Sequence, residues 1–144
     1  MQSATFTGVL TNKMVLVIAN EAPLGEALNT AALLGVGLGR HHDDSVGPDT
    51  ADGSGATHTG MSAYPIPVLR APAAKLASLR ARAATYAELT IHDMHQVAQQ
   101  ARTYDQMSAT LSGTKPEDIQ YLGLALYGPR AAVDSVTGSL PLYR

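Results

Sequence analysis

Imidazoles and carboxylates crowd into two short stretches, His41-His42-Asp43-Asp44 and His92-Asp93-Met94-His95, with His58 between them. Histidine exchanges a proton near neutral pH and a carboxylate accepts one, so these are the residue types of general acid/base catalysis and of metal ligation. His92 and His95 share one face if their segment is helical, with Asp93 beside them as base or hydrogen-bond acceptor. Asp93 equally suits the cap of a helix that starts at Met94. No H-E-x-x-H or comparable ligand spacing occurs, so neither a metal nor any other cofactor is expected. Asn20, Glu21, Glu26 and Asn29 fall where a first strand gives way to a helix, and they line the same sheet edge as Asp93 if the two strands run parallel. Glu26 in a first helical turn also complements the helix dipole. Tyr64 and Tyr104 are candidates to wall such a cleft, and His58 to close it from a loop. The candidate catalytic set is therefore Asp93, Glu26, His92 and His95, and the candidate ligand-binding set is Asn20, Glu21, Asn29, His58, Tyr64 and Tyr104.

Composition removes whole classes of chemistry. The chain has no cysteine, which excludes disulfides, thiolate zinc sites, iron–sulfur clusters and cysteine nucleophiles, and fits a cytoplasmic protein. Ten Lys and Arg against twelve Asp and Glu give a charge of −2, so no global positive field draws in nucleic acid. Arg70, Lys75, Arg80 and Arg82 form one local basic patch, a pattern that more often marks the solvated face of a helix. No nucleophile-elbow or P-loop motif occurs. The longest clean apolar run, Met14 to Ala19, is far short of the roughly 18 residues that a membrane helix needs, and no secretion signal is expected at the start. At 144 residues and 45% apolar content, one compact domain spanning 1–144 is expected.

The elements that must position these groups read as follows. Lys13–Ala19 is a continuous apolar run, the pattern of a strand buried on both faces. A helix follows with its apolar stripe at Leu24, Leu28, Ala31, Ala32 and Leu38, stopping at Gly35, Gly37 and Gly39, which C-cap it. The segment 40–62 is rich in turn formers and reads as one long polar loop, either a lid or disordered. Tyr64–Arg70 is a second strand whose prolines suit a sheet edge, and Pro72 opens a second helix to Ala83. A third strand is predicted at Tyr86–Ile91, short helices around Met94–Arg102 and Tyr104–Leu111, a fourth strand at Ile119–Tyr127 ended by Gly128-Pro129, and a last helix at Arg130–Val136. Strands alternating with helices predict a three-layer α/β/α fold with a four-stranded mixed sheet.

Several motifs, in order over residues 13–144, resemble the bacterial family called domain of unknown function 2000. They are Lys13-Met-Val-Leu-Val-Ile, Glu26-Ala-Leu-Asn29 with Ala31-Ala32, Pro65-Ile-Pro-Val-Leu, Tyr121-Leu-Gly-Leu-Ala-Leu-Tyr-Gly-Pro129, and Val133-Asp-Ser-Val-Thr-Gly-Ser-Leu-Pro-Leu142. The resemblance implies the type II peptidyl-tRNA hydrolase fold. Those hydrolases carry Gly-Lys-x-Ala-Ala-Gln at the start of the first helix, and their functional lysine falls here on Leu28. Their Arg-Asp-Ala-Gly-x-Thr-Gln segment stands as His92-Asp93-Met94-His95, which keeps the aspartate alone. Leucine cannot stabilise an oxyanion or grip a phosphate, so the resemblance implies the scaffold more than the activity.

Three functions follow. The first is a small pocket at the strand ends that binds or transforms a small metabolite or an acyl- or peptide-like ligand, by acid/base chemistry if it is an enzyme. The second is a non-catalytic module that pairs with itself as a homodimer, or with a partner, through the proline-bearing strand or an apolar helix face. The third is residual peptidyl-tRNA hydrolysis. No membrane association is expected.

Overall fold

In a computed structural model the structure describes residues 10–144; the opening residues, where no secretion signal is expected, lie outside the described part. The apolar run forms β1 (Asn12–Ala19), and its six residues from Met14 to Ala19 are all buried because the strand is central. Helix α1 (Leu24–His41) leads back along one face of the sheet. Short strands β2 (Thr50–Ala51) and β3 (Thr57–His58) pair antiparallel as a hairpin within the polar loop, so that segment is structured rather than bare coil. The Asp52 carboxylate organises its turn, bonded by the Ser54 hydroxyl, the His58 ring and the Ser54 and Ala56 amides; these bonds hold it well below the usual carboxylate range.

Strand β4 (Val68–Ala71) runs parallel to β1, and α2 (Ala73–Ala83) follows with Pro72 as its N-cap. Strand β5 (Thr90–His95), helices α3 (Gln96–Gln100) and α4 (Tyr104–Ser112), β6 (Tyr121–Pro129) and α5 (Arg130–Thr137) complete the order. The sheet is β4-β1-β6-β5, with β6 antiparallel to both of its neighbours. The carboxyl ends of β1, β4 and β5 therefore share one edge with the start of β6. Alternation assigns the faces: Val15, Val17, Leu124 and Leu126 pack under α2 and α5, whereas Met14, Leu16, Ile18 and Ala125 pack under α1. Three layers with a four-stranded mixed sheet result, as expected. Among the described residues no helix is long and apolar enough to cross a membrane.

Five expectations are corrected. Helix α1 continues through Gly35, Gly37 and Gly39 to an extended C-cap at His42, because burial of Leu34 and Leu38 outweighs the weak helix propensity of glycine. Its buried face is Ala27, Thr30, Leu34 and Leu38, while Leu24 and Leu28 point to solvent. The second strand shrinks to Val68–Ala71 because Pro65 and Pro67 bring no amide hydrogen; the Pro67 carbonyl still accepts from Leu16 N–H at 3.0 Å. The third strand starts four residues later than predicted, since Tyr86 and Leu89 close a turn that packs on the core. The fourth strand likewise runs on through Gly128-Pro129, which pair with Lys13 and Asn12.

Candidate functional site

The shift of β5 decides the geometry, because it puts His92-Asp93-Met94-His95 on a strand, where successive side chains face opposite ways. His92 and His95 thus do not share a helix face: His92 faces α1 and Asp93 faces α2. Nor does Asp93 cap a helix. That role belongs to His95, whose Nδ1 accepts from the Ala98 amide at 3.2 Å at the start of α3. With Nδ1 an acceptor, the neutral ring carries its proton on Nε2, which lies 3.9 Å from Asp93 Oδ1. On its other side Asp93 Oδ2 receives Arg80 Nε at 2.7 Å. The aspartate is therefore held between a guanidinium from α2 and a buried imidazole at the end of its own strand.

The Arg80 guanidinium carbon sits 5.7 Å from the centroid of the Tyr121 ring, within cation–π range. Tyr121 begins β6 and lines a cleft of about 420 Å³ between α2 and the start of β6. Ala73, Ala74 and Ala77 supply one wall; Ile119, Leu122, Gln120 and Glu117 supply the other. Ala73, Ala77 and Arg80 follow at helical spacing on α2, so the small residues open the cleft and the arginine, next along the same helix face, reaches it through the ring of Tyr121. The cleft lies at the sheet edge where β4 ends and β6 begins.

The other candidates lie outside that cleft, and two of them hold the scaffold together. Glu21 accepts from the Ala73 amide at 2.9 Å and so satisfies a first-turn donor of α2. Glu26 accepts from Gln99 Nε2 on the α1 side of the sheet, away from Asp93. Asn20 and Asn29 are exposed, as is Tyr104 at the start of α4, 79% accessible. His58 pairs with Asp52 at 2.8 Å within the hairpin and does not reach the cleft residues. The basic patch is divided as well: Arg80 meets Asp93, Arg82 donates to the Ser135 carbonyl, and Arg70 lies in β4 with its Nε buried.

Tyr64 belongs to a second polar cluster, at the opposite edge of the sheet. Its buried hydroxyl donates to Asp44 Oδ2, and burial together with that carboxylate pushes its pKa far up. The Tyr127 hydroxyl donates to the same carboxylate at 2.9 and 3.0 Å and accepts from Asn12 Nδ2 at 2.9 Å. His42 stacks on the Tyr127 ring at 3.9 Å, and its Nε2 meets His92 Nε2 at 3.1 Å. Burial lowers the pKa of both histidines; for His92 the neighbouring His42 and His41 lower it further. Gly37 leaves room for the His92 ring, since a Cβ there would lie 3.3 Å from His92 Nδ1, a tight contact. Tyr127 and Asn12 gave no sequence signal, because only the register of β1 against β6 brings them together, and Asp44, noted only within its histidine–aspartate run, meets them through the tertiary fold. Among the described residues no group of three or more His, Asp or Glu is placed to hold a metal ion.

Comparison with known proteins agrees with this architecture. The family described as protein of unknown function (DUF2000) matches residues 12–144. The chain belongs to that family. Among solved structures, a protein of unknown function from Agrobacterium tumefaciens strain C58 is similar, with 20% identity, a TM-score of 0.86, and coverage of 94% of this chain and 100% of that one. At such identity the likeness is one of fold. No curated protein matches the sequence. In this DUF2000 protein the two polar assemblies therefore have to be weighed on their own chemistry. The strand-end assembly has an open cleft beside an arginine, whereas the histidine–tyrosine cluster has its polar atoms bonded to one another.

Proposed function

We propose that this protein binds a small acyl- or peptide-like molecule bearing a carboxylate in the cleft between α2 and the start of β6. The observation that carries this reading is Arg80, which bonds Asp93 through Nε alone among the described residues while its charged end lies over the ring of cleft residue Tyr121. Its terminal nitrogens present the planar fork that matches a carboxylate. The alanines of α2 with Ile119 and Leu122 offer apolar walls to a short aliphatic or peptide body, and Gln120 and Glu117 offer polar contacts.

The site is a binding site before it is a catalytic one. A general base must reach a substrate proton, yet Asp93 is paired with Arg80 and both nitrogens of His95 face partners. The type II peptidyl-tRNA hydrolase relationship enters here as scaffold: a mixed four-stranded sheet between α1 and the α2–α5 layer supports it. Peptidyl-tRNA hydrolysis is not proposed, because the hydrolases' lysine position is Leu28, 62% exposed and without charge.

The test is a two-dimensional NMR titration of the labelled protein with N-acetylalanine and alanylalanine at millimolar concentration. Shifts confined to Ala73–Ala77 and Glu117–Leu122, lost in Arg80→Gln, are expected. Unchanged spectra with both probes, or equal shifts in the variant, refute the reading.

A further inference from the structure

We propose that the groove between α1 and β4 binds a medium-chain carboxylate, with its aliphatic tail along the groove and its head on Arg70, at a site separate from the α2 cleft. Helix α1 packs over β1, β6 and β5 and leaves the same face of β4 largely uncovered. The result is an apolar groove of about 220 Å³ walled by Ile18, Ala27, Leu28, Ala31, Val68 and Tyr143. The C-terminal segment runs along the outer edge of β4, where Tyr143 N–H donates to the Val68 carbonyl at 2.8 Å and Leu142 pairs with Leu69. An apolar cavity of roughly 150 Å³ holds a benzene-sized molecule, so this groove has room for a longer aliphatic body.

Strand register puts a cation beside this groove. β4 pairs parallel with β1, Val68 opposite Leu16 and Arg70 opposite Ile18. Alternation sends Leu69 and Ala71 into the core under α2, so Val68 and Arg70 share the groove face of the strand. Arg70 is therefore the neighbour of two groove walls, Val68 along its own strand and Ile18 across to β1. Its Nε is buried and has no hydrogen-bond partner, and among the described residues no carboxylate lies within ion-pair distance of its guanidinium. Arg80 and Arg82, by contrast, both find acceptors within the chain. A charged donor buried without an acceptor is a costly defect, and such an atom marks a place for an acceptor from outside the chain. A water there would need about two to four polar partners of its own, whereas the neighbouring walls are apolar. A carboxylate fits instead, because a guanidinium presents Nε–H and a terminal N–H side by side to its two oxygens. An acyl tail on that carboxylate then has the apolar groove to enter. A head without a tail leaves the groove empty, and a tail without a head leaves the arginine unpaired.

The test is an NMR titration of the nitrogen-labelled protein with octanoate. The Arg70 Nε–H signal should move together with the amides of Ala27, Leu28, Ala31 and Val68. Octanol and acetate, a tail without the head and a head without the tail, should each bind about tenfold or more weakly. Hexanoate, two methylenes shorter, should bind up to about fifteenfold more weakly, at about fourfold for each methylene that enters the groove. Arg70→Gln should weaken octanoate about tenfold or more and leave octanol unchanged, a difference that a purely structural arginine would not produce. Ala31→Phe keeps the arginine and fills the groove, so it should abolish octanoate binding with unchanged ellipticity. No response to millimolar octanoate overturns the proposal. So does an Arg70 signal that stays fixed while the groove amides move, or equal binding of octanol and octanoate. Shifts centred on Ala73–Ala77 and Glu117–Leu122 overturn it as well, by assigning the ligand to the α2 cleft.

Discussion

Acidification from pH 7 to pH 5 should destabilise the protein through the His42–His92 contact, and the sign follows from the geometry. The two Nε2 atoms lie 3.1 Å apart, between the end of α1 and β5, so one neutral ring donates and the other accepts. A proton on the accepting Nε2 removes the acceptor, a proton on the donor ring puts a cation in a largely desolvated contact, and protons on both put two cations in contact. Asp44 favours the charged form of His42 and Asp93 that of His92, but burial outweighs both, and His41 adds to the lowering. Because the folded-state values lie below the unfolded value of about 6.5, the unfolded chain binds more protons in between. The stability that the neutral pair contributes is complete above the unfolded value and is lost as pH falls toward the folded values. The slope is at most about 1.4 kcal/mol per pH unit for each histidine. Wild type should therefore lose on the order of 1–3 kcal/mol over this interval, a large share of the ~5–15 kcal/mol typical of a domain. Urea unfolding followed by circular dichroism at pH 5, 6, 7 and 8 measures it, the chain having no tryptophan to report. His42→Gln/His92→Gln should be flatter over the same interval, with His41, His58 and His95 unchanged as internal controls. Equal pH slopes in wild type and the double variant would refute the reasoning.

Two further substitutions probe the scaffold beneath the sites. Leu38, 1% exposed where α1 passes its glycines, should cost about 2–5 kcal/mol as Leu38→Ala, read from the urea midpoint; a cost under half a kcal/mol would mean that α1 does not seal the sheet there. Gly128→Ala places a Cβ 2.7 Å from Leu89 Cδ2 and 2.9 Å from the Glu88 carbonyl oxygen, so it should destabilise by about 1–3 kcal/mol, and a neutral thermal melt would contradict that close approach.

What the sequence made legible and what it hid divide along physical lines. β1 was readable because burial on both faces leaves an unbroken apolar run, and α2 because Pro72 and the Leu76–Ala83 spacing mark its start and its inner side. β5 was misplaced because its pairing with β6 carries it: His92 and Asp93 are polar, half-buried residues, and no local pattern distinguishes them from a helix start. The same limit hid the partners. Arg80 read as part of a basic stripe, yet its meaning is the 2.7 Å contact with Asp93, thirteen residues away and set by how α2 crosses the sheet. Tyr127 and Asp44 are 83 residues apart, and only tertiary structure joins them.

A last step concerns why polar residues at the strand-end edge yield so little free chemistry. The helices that begin or end there leave backbone donors without intrahelical partners, and side chains must satisfy them. Glu21 does so for α2 and His95 for α3, while Thr103 caps α4 by accepting from the Gln106 amide. A sequence scan weighs each of these as a possible acid, base or ligand, because the residue types of capping and of catalysis overlap. Subtracting the caps leaves Asp93 and Arg80, whose ion pair runs through Nε and whose guanidinium lies near the ring of cleft residue Tyr121. What survives the subtraction is a guanidinium near apolar walls, which is why the ligand proposed for this DUF2000 protein is a carboxylate and not an ester awaiting attack.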